Sequence, residues 1–232
     1  MKVLGMAGGI YRACEWVMRF ASLNLIWVIV NLPIALLIIN LLNANQLSQV
    51  IFSYAAIGVL IPFLIFPSTT AVFGVVRKWV MKEGDIKVWH SFFNFYKENY
   101  LKSMSGGLVI TLMWFIVTFY LYSLYLHLGL GLLPVYILIY VVLSVFTLHF
   151  FSLTVHFDIK LLSTFKNSFL ITIGRPINTL GMALVSCLIV FLSVKIVSFF
   201  LPFFIVSLIA YPSFLGFYSH LRRVNNLREV NP

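Results

Sequence analysis

Six apolar stretches, each about as long as a membrane-spanning helix, limit what this chain can fold into. A hydrocarbon core of about 30 Å requires roughly 20 apolar residues in a helix. Charged residues make up 9% of the chain, against about 25% in soluble domains, which is too little to cover a water-soluble surface. The sequence therefore predicts an all-α fold, a polytopic membrane protein whose six transmembrane helices form a single membrane domain over residues 1–232. The predicted spans are about 20–42, 51–76, 104–126, 132–155, 177–194 and 199–218.

The lysines and arginines lie almost entirely on one side of the predicted spans. Only Lys195 lies on the opposite side. Since cationic connections stay in the cytoplasm, this positive-inside pattern predicts a multi-pass protein with both its N and C termini cytoplasmic. The cations on the predicted cytoplasmic side are Lys2, Arg12, Arg19, Arg77, Lys78, Lys82, Lys87, Lys97, Lys102, Lys160, Lys166, Arg175, Arg222, Arg223 and Arg228.

A formal net charge of +10 is also a property of many nucleic-acid-binding proteins. The basic residues of this chain, however, form no dense run with interleaved aromatic residues on a soluble scaffold. We therefore predict no nucleic-acid partner. The cations are expected to meet the bilayer, including its anionic lipids.

Two stretches between spans are too polar to cross a membrane, yet they have helical periodicity. The second covers residues 158–173, and residues 10–19 resemble a third. This pattern predicts helices that lie in the headgroup plane, with Asp85 and Asp158 as N-caps. In the first stretch the periodic aromatic residues are Trp89, Phe92, Phe93, Tyr96 and Tyr100.

The chain also shows weak internal similarity. A shift of 73 residues aligns 85–87 with 158–160, and a shift of 145 residues aligns 66–68 with 211–213. These matches indicate three repeated hairpin units, each preceded by a cytoplasmic interfacial helix. The units would cover about 8–79, 85–155 and 158–224. Chance similarity among apolar segments is the alternative.

Polar residues and prolines inside the spans indicate helix contacts rather than chemistry. Asn24, Asn31 and Asn40 are candidates for hydrogen bonds between helices. Pro67 and Pro212 are candidate kinks, because proline frees a backbone carbonyl that the serine after it can bond. A kink pair is compatible with a hinge or with a simple packing device.

No residue pattern in the chain predicts an active site. No aspartate or glutamate lies in a predicted span, and His149 is the one titratable group well inside a helix. Motifs for zinc ligation, serine nucleophiles and phosphate-binding loops are absent from the sequence. We therefore expect no enzymatic activity, no metal site and no cofactor.

Several runs resemble a known family. They are Gly8-Gly9-Ile10-Tyr11-Arg12 with Glu15-Trp16 and Arg19, the run from Phe66 to Trp79, and Gly84-Asp85-Ile86 with Phe92. Over residues 5–105 the chain is similar to the YesL-like family of bacterial integral membrane proteins, the domain of unknown function 624. The family usually shows Pro-Ala-Thr-Ala-Ala where this chain has Pro67-Ser68-Thr69-Thr70-Ala71. The resemblance implies a bacterial plasma membrane and frequent genomic proximity to carbohydrate import and polysaccharide degradation.

Two functions are compatible with these observations. The first is a non-enzymatic accessory or regulatory membrane subunit, linked by the resemblance to a carbohydrate ABC importer whose membrane subunits are the expected partners. The alternative is a self-contained facilitator or permease for a neutral solute, which requires a polar, open cavity among the spans. The candidate docking or interfacial residues are Arg12, Glu15, Trp16, Arg19, Arg77, Lys78, Trp79, Asp85, Trp89, Asp158, Arg222 and Arg223.

Overall fold

The computed structural model describes residues 6–84, 86–195 and 201–230, and these are helical with short connections and no strand. A π-helix, Ile61–Ile65, joins α3 to α4, and a 3₁₀ turn, Gly129–Leu132, joins α6 to α7. The ten α-helices of the described ranges are α1 (Met6–Val30), α2 (Leu32–Leu42), α3 (Leu47–Leu60), α4 (Phe66–Met81), α5 (Val88–Glu98), α6 (Tyr100–Leu128), α7 (Leu133–His156), α8 (Leu161–Gly174), α9 (Pro176–Lys195) and α10 (Leu201–Val230).

Six helical segments in the described part of the chain are long and apolar enough to cross a membrane. The all-α class and the number of candidate spans therefore agree with the prediction. Most boundaries lie within a few residues of the predicted ones. The segments are Gly8–Val30, Leu47–Met81, Tyr100–His127, Leu133–His156, Pro176–Lys195 and Phe203–Arg223.

The first span differs from its prediction. The apolar run 20–42 is divided at Asn31, where α1 ends and α2 begins, because Pro33 in the first turn of α2 has no N–H to continue the helix. Residues 10–19, which the periodicity predicts as a separate helix, are the first part of α1. The span therefore begins earlier than predicted, at Gly8.

Helix α4 is the centre of the bundle. It contacts α1, α5, α7 and α10, and its residues from Phe66 to Val76 are all buried. Most other spans expose large apolar side chains, as expected where lipid rather than water is the solvent.

One end of the bundle, called the basic end below, is where α1 and α6 begin and α4 and α7 end. Trp16 of α1 contacts Trp79 of α4 with ring centroids 5.8 Å apart. Lys102 at the start of α6 donates from Nζ to the carbonyl of Phe157, just after α7, at 3.1 Å. The cationic stretches that flank these helix ends are thereby brought to the same end.

Aromatic side chains fill the half of the bundle next to the basic end. The ring of Phe95 presses on Gly74, where an added Cβ would lie 2.4 Å from the ring. The ring of Phe150 presses in the same way on Gly106, at 2.1 Å. The largest fully buried aromatic residues, called the aromatic plug below, are Phe73, Phe92, Phe150, Phe214 and Phe217.

The two short helices α5 and α8 begin later than predicted. The residues at their N-cap positions are Lys87 and Lys160. Asp158 lies outside α8 and does not cap it, because the helix starts three residues farther along, while Asp85 lies outside the described residues. Phe92 of α5 is fully buried against the bundle, so this helix packs on protein as well as facing its surroundings.

Candidate functional site

A polar seam holds α1 against the start of α4. Asn31 donates from Nδ2 to the Oγ of Ser68 at 2.8 Å. One turn earlier, Trp27 donates from Nε1 to the Oγ1 of Thr69 at 3.1 Å. These side chains meet because Ser68 and Thr69 directly follow Pro67 at the start of α4, and all three are buried.

The seam continues to α10 and α6. The Oδ1 of Asn24 accepts hydrogen bonds from the backbone N–H groups of Val206 and Ser207, at 3.1 and 3.0 Å. Ser103 of α6 donates to the Oγ1 of Thr70 at 2.8 Å. Polar side chains that form hydrogen bonds between helices in this way stabilise helix packing in membrane proteins.

The seam includes two of the three asparagines named from the sequence, Asn24 and Asn31. Asn40 is exposed, and its Oδ1 lies 3.5 Å from the Oγ of Ser53. Trp27 and Ser103 were not predicted from the sequence. The sequence does not show whether a hydroxyl or indole side chain within an apolar run forms a hydrogen bond to another helix or faces lipid.

The two candidate kinks have different surroundings. Pro67 follows the π-helix, and the Oγ of Ser68 donates to the carbonyl of Leu64, one turn earlier, at 2.6 Å. Pro212 lies inside the uninterrupted helix α10. The Oγ of Ser213 is buried and has no hydrogen-bond partner among the described residues. The serine after Pro67 is therefore hydrogen-bonded to carbonyls of the preceding turn, Leu64 and Ile65, whereas the serine after Pro212 has no described partner.

Four aromatic rings close the gap between α1, α4 and α10 at the basic end. Trp16 and Phe20 of α1 each contact Trp79 and Tyr211 edge to face, with ring centroids 5.5 to 5.8 Å apart. Trp79 is 6% exposed and Trp16 is half-buried. Trp79 therefore packs inside the bundle and offers no docking surface, which corrects its assignment from the sequence.

Several of the other predicted docking residues are engaged within the chain. Arg19 forms an ion pair with Glu15 one turn earlier, and its guanidinium lies 5.5 Å from the Trp16 ring. The Nζ of Lys78 lies 5.3 Å from the centroid of the Phe95 ring. A further ion pair joins Arg77 and Glu83, at 3.7 Å.

The remaining predicted docking residues face outward. Trp89 on α5 is 57% exposed, although it is one of the largest apolar side chains of the protein, and its ring contacts only Phe93 among the aromatic pairs described, at 5.4 Å. On the same helix, burial is the main cause that raises the pKa of Tyr96. The other exposed members of the predicted set are Arg12, Asp158, Arg222 and Arg223.

The next question is whether titratable side chains of the described residues come together. No cluster of three or more histidine, cysteine, aspartate or glutamate side chains has the spacing to hold a metal ion. His149 is 2% exposed, and its two ring nitrogens lack a described hydrogen-bond partner. Its ring packs 6.3 Å from that of Phe217, in the aromatic plug.

Two cavities lie beyond the aromatic plug. One, of about 510 Å³, is bounded by the π-helix and helices α4, α6, α7 and α10. The other, of about 580 Å³, extends between α7 and α9. They share the walls formed by Trp114 and Thr147, and both are lined mainly by apolar side chains. Such a lining suits an apolar group better than a sugar.

Comparison with known proteins identifies relatives along most of the chain. The profile of the family described as "Protein of unknown function, DUF624" matches residues 20–121. A protein of Bacillus subtilis (strain 168), uncharacterized protein YteU, is 32% identical over 209 residues, which cover 89% of this chain and 82% of YteU.

Two further relatives come from the same organism. Uncharacterized protein YesL is 28% identical over 202 residues, covering 82% of this chain and 81% of YesL. Uncharacterized protein YesV is 25% identical over 181 residues, covering 77% of this chain and 74% of YesV. No solved structure matches this chain.

Proposed function

The chain belongs to the DUF624 family, and from that membership and the geometry of the basic end we propose that it is a non-enzymatic accessory or regulatory membrane subunit. It binds other membrane proteins through its spans and its basic end. It catalyses no reaction itself.

One observation carries this proposal. Next to the basic end, where a conduit would have to open, the centre of the bundle is occupied by the aromatic plug, and Phe73, Phe150 and Phe217 are buried there almost completely. On the surface of the same end, Trp89 is left largely exposed on a helix that is otherwise anchored by Phe92. Exposed aromatic anchors beside cations are typical of surfaces that bind a partner.

The proposed partner is a membrane subunit of a carbohydrate ABC importer. This part of the proposal is supported by the genomic setting that the family resemblance implies. The chain has no cytoplasmic Glu-Ala-Ala loop of the kind that importer permeases use to bind their ATPase. We therefore assign it a role beside the permease rather than as the permease.

The finer topology is part of the same proposal. The family implies a bacterial plasma membrane, and the distribution of cations favours a cytoplasmic basic end with both termini inside. In the second and third proposed repeat units a short helix precedes two long ones, α5 before α6 and α7, and α8 before α9 and α10. In this proposal α5 and α8 lie along the cytoplasmic headgroup region.

The alternative function is a facilitator for a solute that enters the two cavities. Those cavities are the observation that favours it, with volumes of about 510 and 580 Å³ near the middle of the spans. Their apolar lining and the aromatic plug beyond them disfavour a polar neutral solute such as a sugar.

Affinity purification of the tagged protein from its native membrane in mild detergent tests the proposal. Mass spectrometry should recover importer membrane subunits in near-stoichiometric amount, and a Trp89→Ala variant should recover fewer. Recovery of the chain alone, together with solute uptake when it is reconstituted in liposomes, would favour the facilitator.

A further inference from the structure

A cationic notch lies between the end of α4 and the last turns of α10. It has a volume of about 480 Å³. Three cations line it, namely Lys82, Arg222 and Arg223, together with the hydroxyl-bearing Ser219. No aspartate or glutamate lines this notch among the residues that the structure describes.

The wall of the notch that faces the bundle is apolar. Val80, Leu215 and the ring of Tyr218 form it. The guanidinium of Arg222 lies 5.9 Å from the centroid of the Tyr218 ring, which holds the cation at the junction of the two walls. A ligand that fits both walls needs an anionic group next to an apolar one.

The backbone of Lys82 has an unusual conformation for a residue with a side chain. Lys82 follows the last residue of α4 with φ of 57°, the one positive φ at a non-glycine residue in the described part of the chain. Glycine is the usual residue at such a helix end, because a side chain is strained there. A lysine in this strained position therefore suggests that its side chain has a function.

The nearest carboxylate in sequence does not neutralise the notch. Glu83 is paired with Arg77, with their charged atoms 3.7 Å apart. Lys82, Arg222 and Arg223 have no ion-pair partner among the described residues. Unpaired cations that converge on one small volume bind anions, and guanidinium groups favour phosphate oxygens in particular.

The depth of the notch favours a phospholipid over free phosphate as the ligand. The two candidate spans that form it end at Met81 and Arg223, so the notch lies where the apolar part of each helix stops. Phospholipid headgroups occupy this depth in a bilayer. We propose that the notch binds the headgroup phosphate of an anionic phospholipid, whose glycerol and upper acyl chain rest on Val80, Leu215 and Tyr218.

This inference is independent of the proposed accessory function, because it concerns a lipid and not a protein partner. Native mass spectrometry of the detergent-purified full chain, with added phosphatidylglycerol or phosphatidylcholine, measures it directly. The wild-type protein should retain phosphatidylglycerol preferentially. Substitution of both arginines, Arg222→Gln with Arg223→Gln, should weaken that binding by roughly a factor of 30, since each cation near an anionic headgroup contributes about a factor of five.

Two further variants distinguish binding in the notch from a general loss of positive charge or of stability. Lys87→Gln with Lys160→Gln removes the same charge from exposed positions elsewhere at the basic end, and it should change binding less than twofold. Lys82→Gly removes a notch cation while relaxing the backbone, so it should weaken binding in a protein that is at least as stable as wild type. Equal binding by the wild-type and double-arginine proteins would overturn the proposal.

A third arm distinguishes the lipid from free phosphate. Inorganic phosphate at millimolar concentration should leave the bound phosphatidylglycerol in place, because it cannot use the apolar wall. If inorganic phosphate displaces the lipid completely, or if phosphatidylcholine binds equally well, the notch is not an anionic-lipid site.

Discussion

Asn31 and Ser68 are joined by a hydrogen bond of 2.8 Å that ties the end of the first span to the residue after Pro67. The same serine hydroxyl lies 2.6 Å from the carbonyl of Leu64, in the π-helix. The hydroxyl therefore accepts from Asn31, which lies between α1 and α2, and donates to the preceding turn of its own helical segment. This pair fixes α1 to α4, the most buried helix of the bundle. Helix α4 contributes Phe73 to the aromatic plug, and its C-terminus lies at the basic end.

Ser68→Ala should lower the free energy of unfolding by about 1 kcal/mol, a typical value for a hydrogen bond between helices in a membrane protein. Ser105→Ala is the matched control, because the Oγ of Ser105 bonds only to Leu101 of its own helix, and it should have little effect. Thermal unfolding in detergent measures both. Equal stability of the two variants would show that the Asn31–Ser68 contact is not important.

Gly106→Ala should destabilise the bundle by about 1 to 3 kcal/mol, as overpacked cores do. The added Cβ would lie 2.1 Å from the ring of Phe150, which is fully buried in the aromatic plug. Gly58→Ala, where an added Cβ has no neighbour within 4 Å, should be neutral or slightly stabilising. The same unfolding measurement checks the pair, and a neutral Gly106→Ala would contradict the packing of the plug.

Trp79→Ala should destabilise the protein, whereas Trp89→Ala should leave its stability nearly unchanged. Trp79 is buried among Trp16 and Phe20, so its removal should cost about 3 to 5 kcal/mol of stability. Trp89 is exposed, so its removal should change stability by less than about 0.5 kcal/mol. A large loss of stability in Trp89→Ala would place this residue in the core and end its assignment to a docking surface.

Lys82→Gly should raise the free energy of unfolding by about 1 kcal/mol, because glycine adopts the left-handed conformation without steric cost. Lys82→Ala keeps the strain and removes the same charge, so it should show no such gain. Thermal unfolding of the two variants in detergent separates the contributions of backbone and charge. A gain in both would assign the effect to the charge instead.

Hydropathy and length were enough to predict the helical membrane class and six candidate spans, because a bilayer requires long apolar helices with few charges. The division of the first apolar run at Asn31 was also visible in principle, since Pro33 follows two residues later. A division of this kind was missed because both halves are apolar and the periodicity shows no change there.

The candidate site could be predicted only in part. Trp79 and Trp89 are both tryptophans beside cations. Nothing local in the sequence shows that Trp79 is buried against Trp16 and Phe20 while Trp89 is exposed. The same holds for the notch. Lys82 precedes Arg222 by 140 residues in the chain, and the two meet only because α4 and α10 pack side by side.

Site-specific photocrosslinking from Trp89 tests the proposed docking of a partner most directly. A photoreactive amino acid is placed at Trp89 or, as a control, at Phe119, which is similarly exposed on α6 away from the basic end, and cells are irradiated with their membranes intact. We expect a protein adduct from position 89 that mass spectrometry identifies as an importer membrane subunit, and no such adduct from position 119. Adducts with lipid alone from both positions would contradict it.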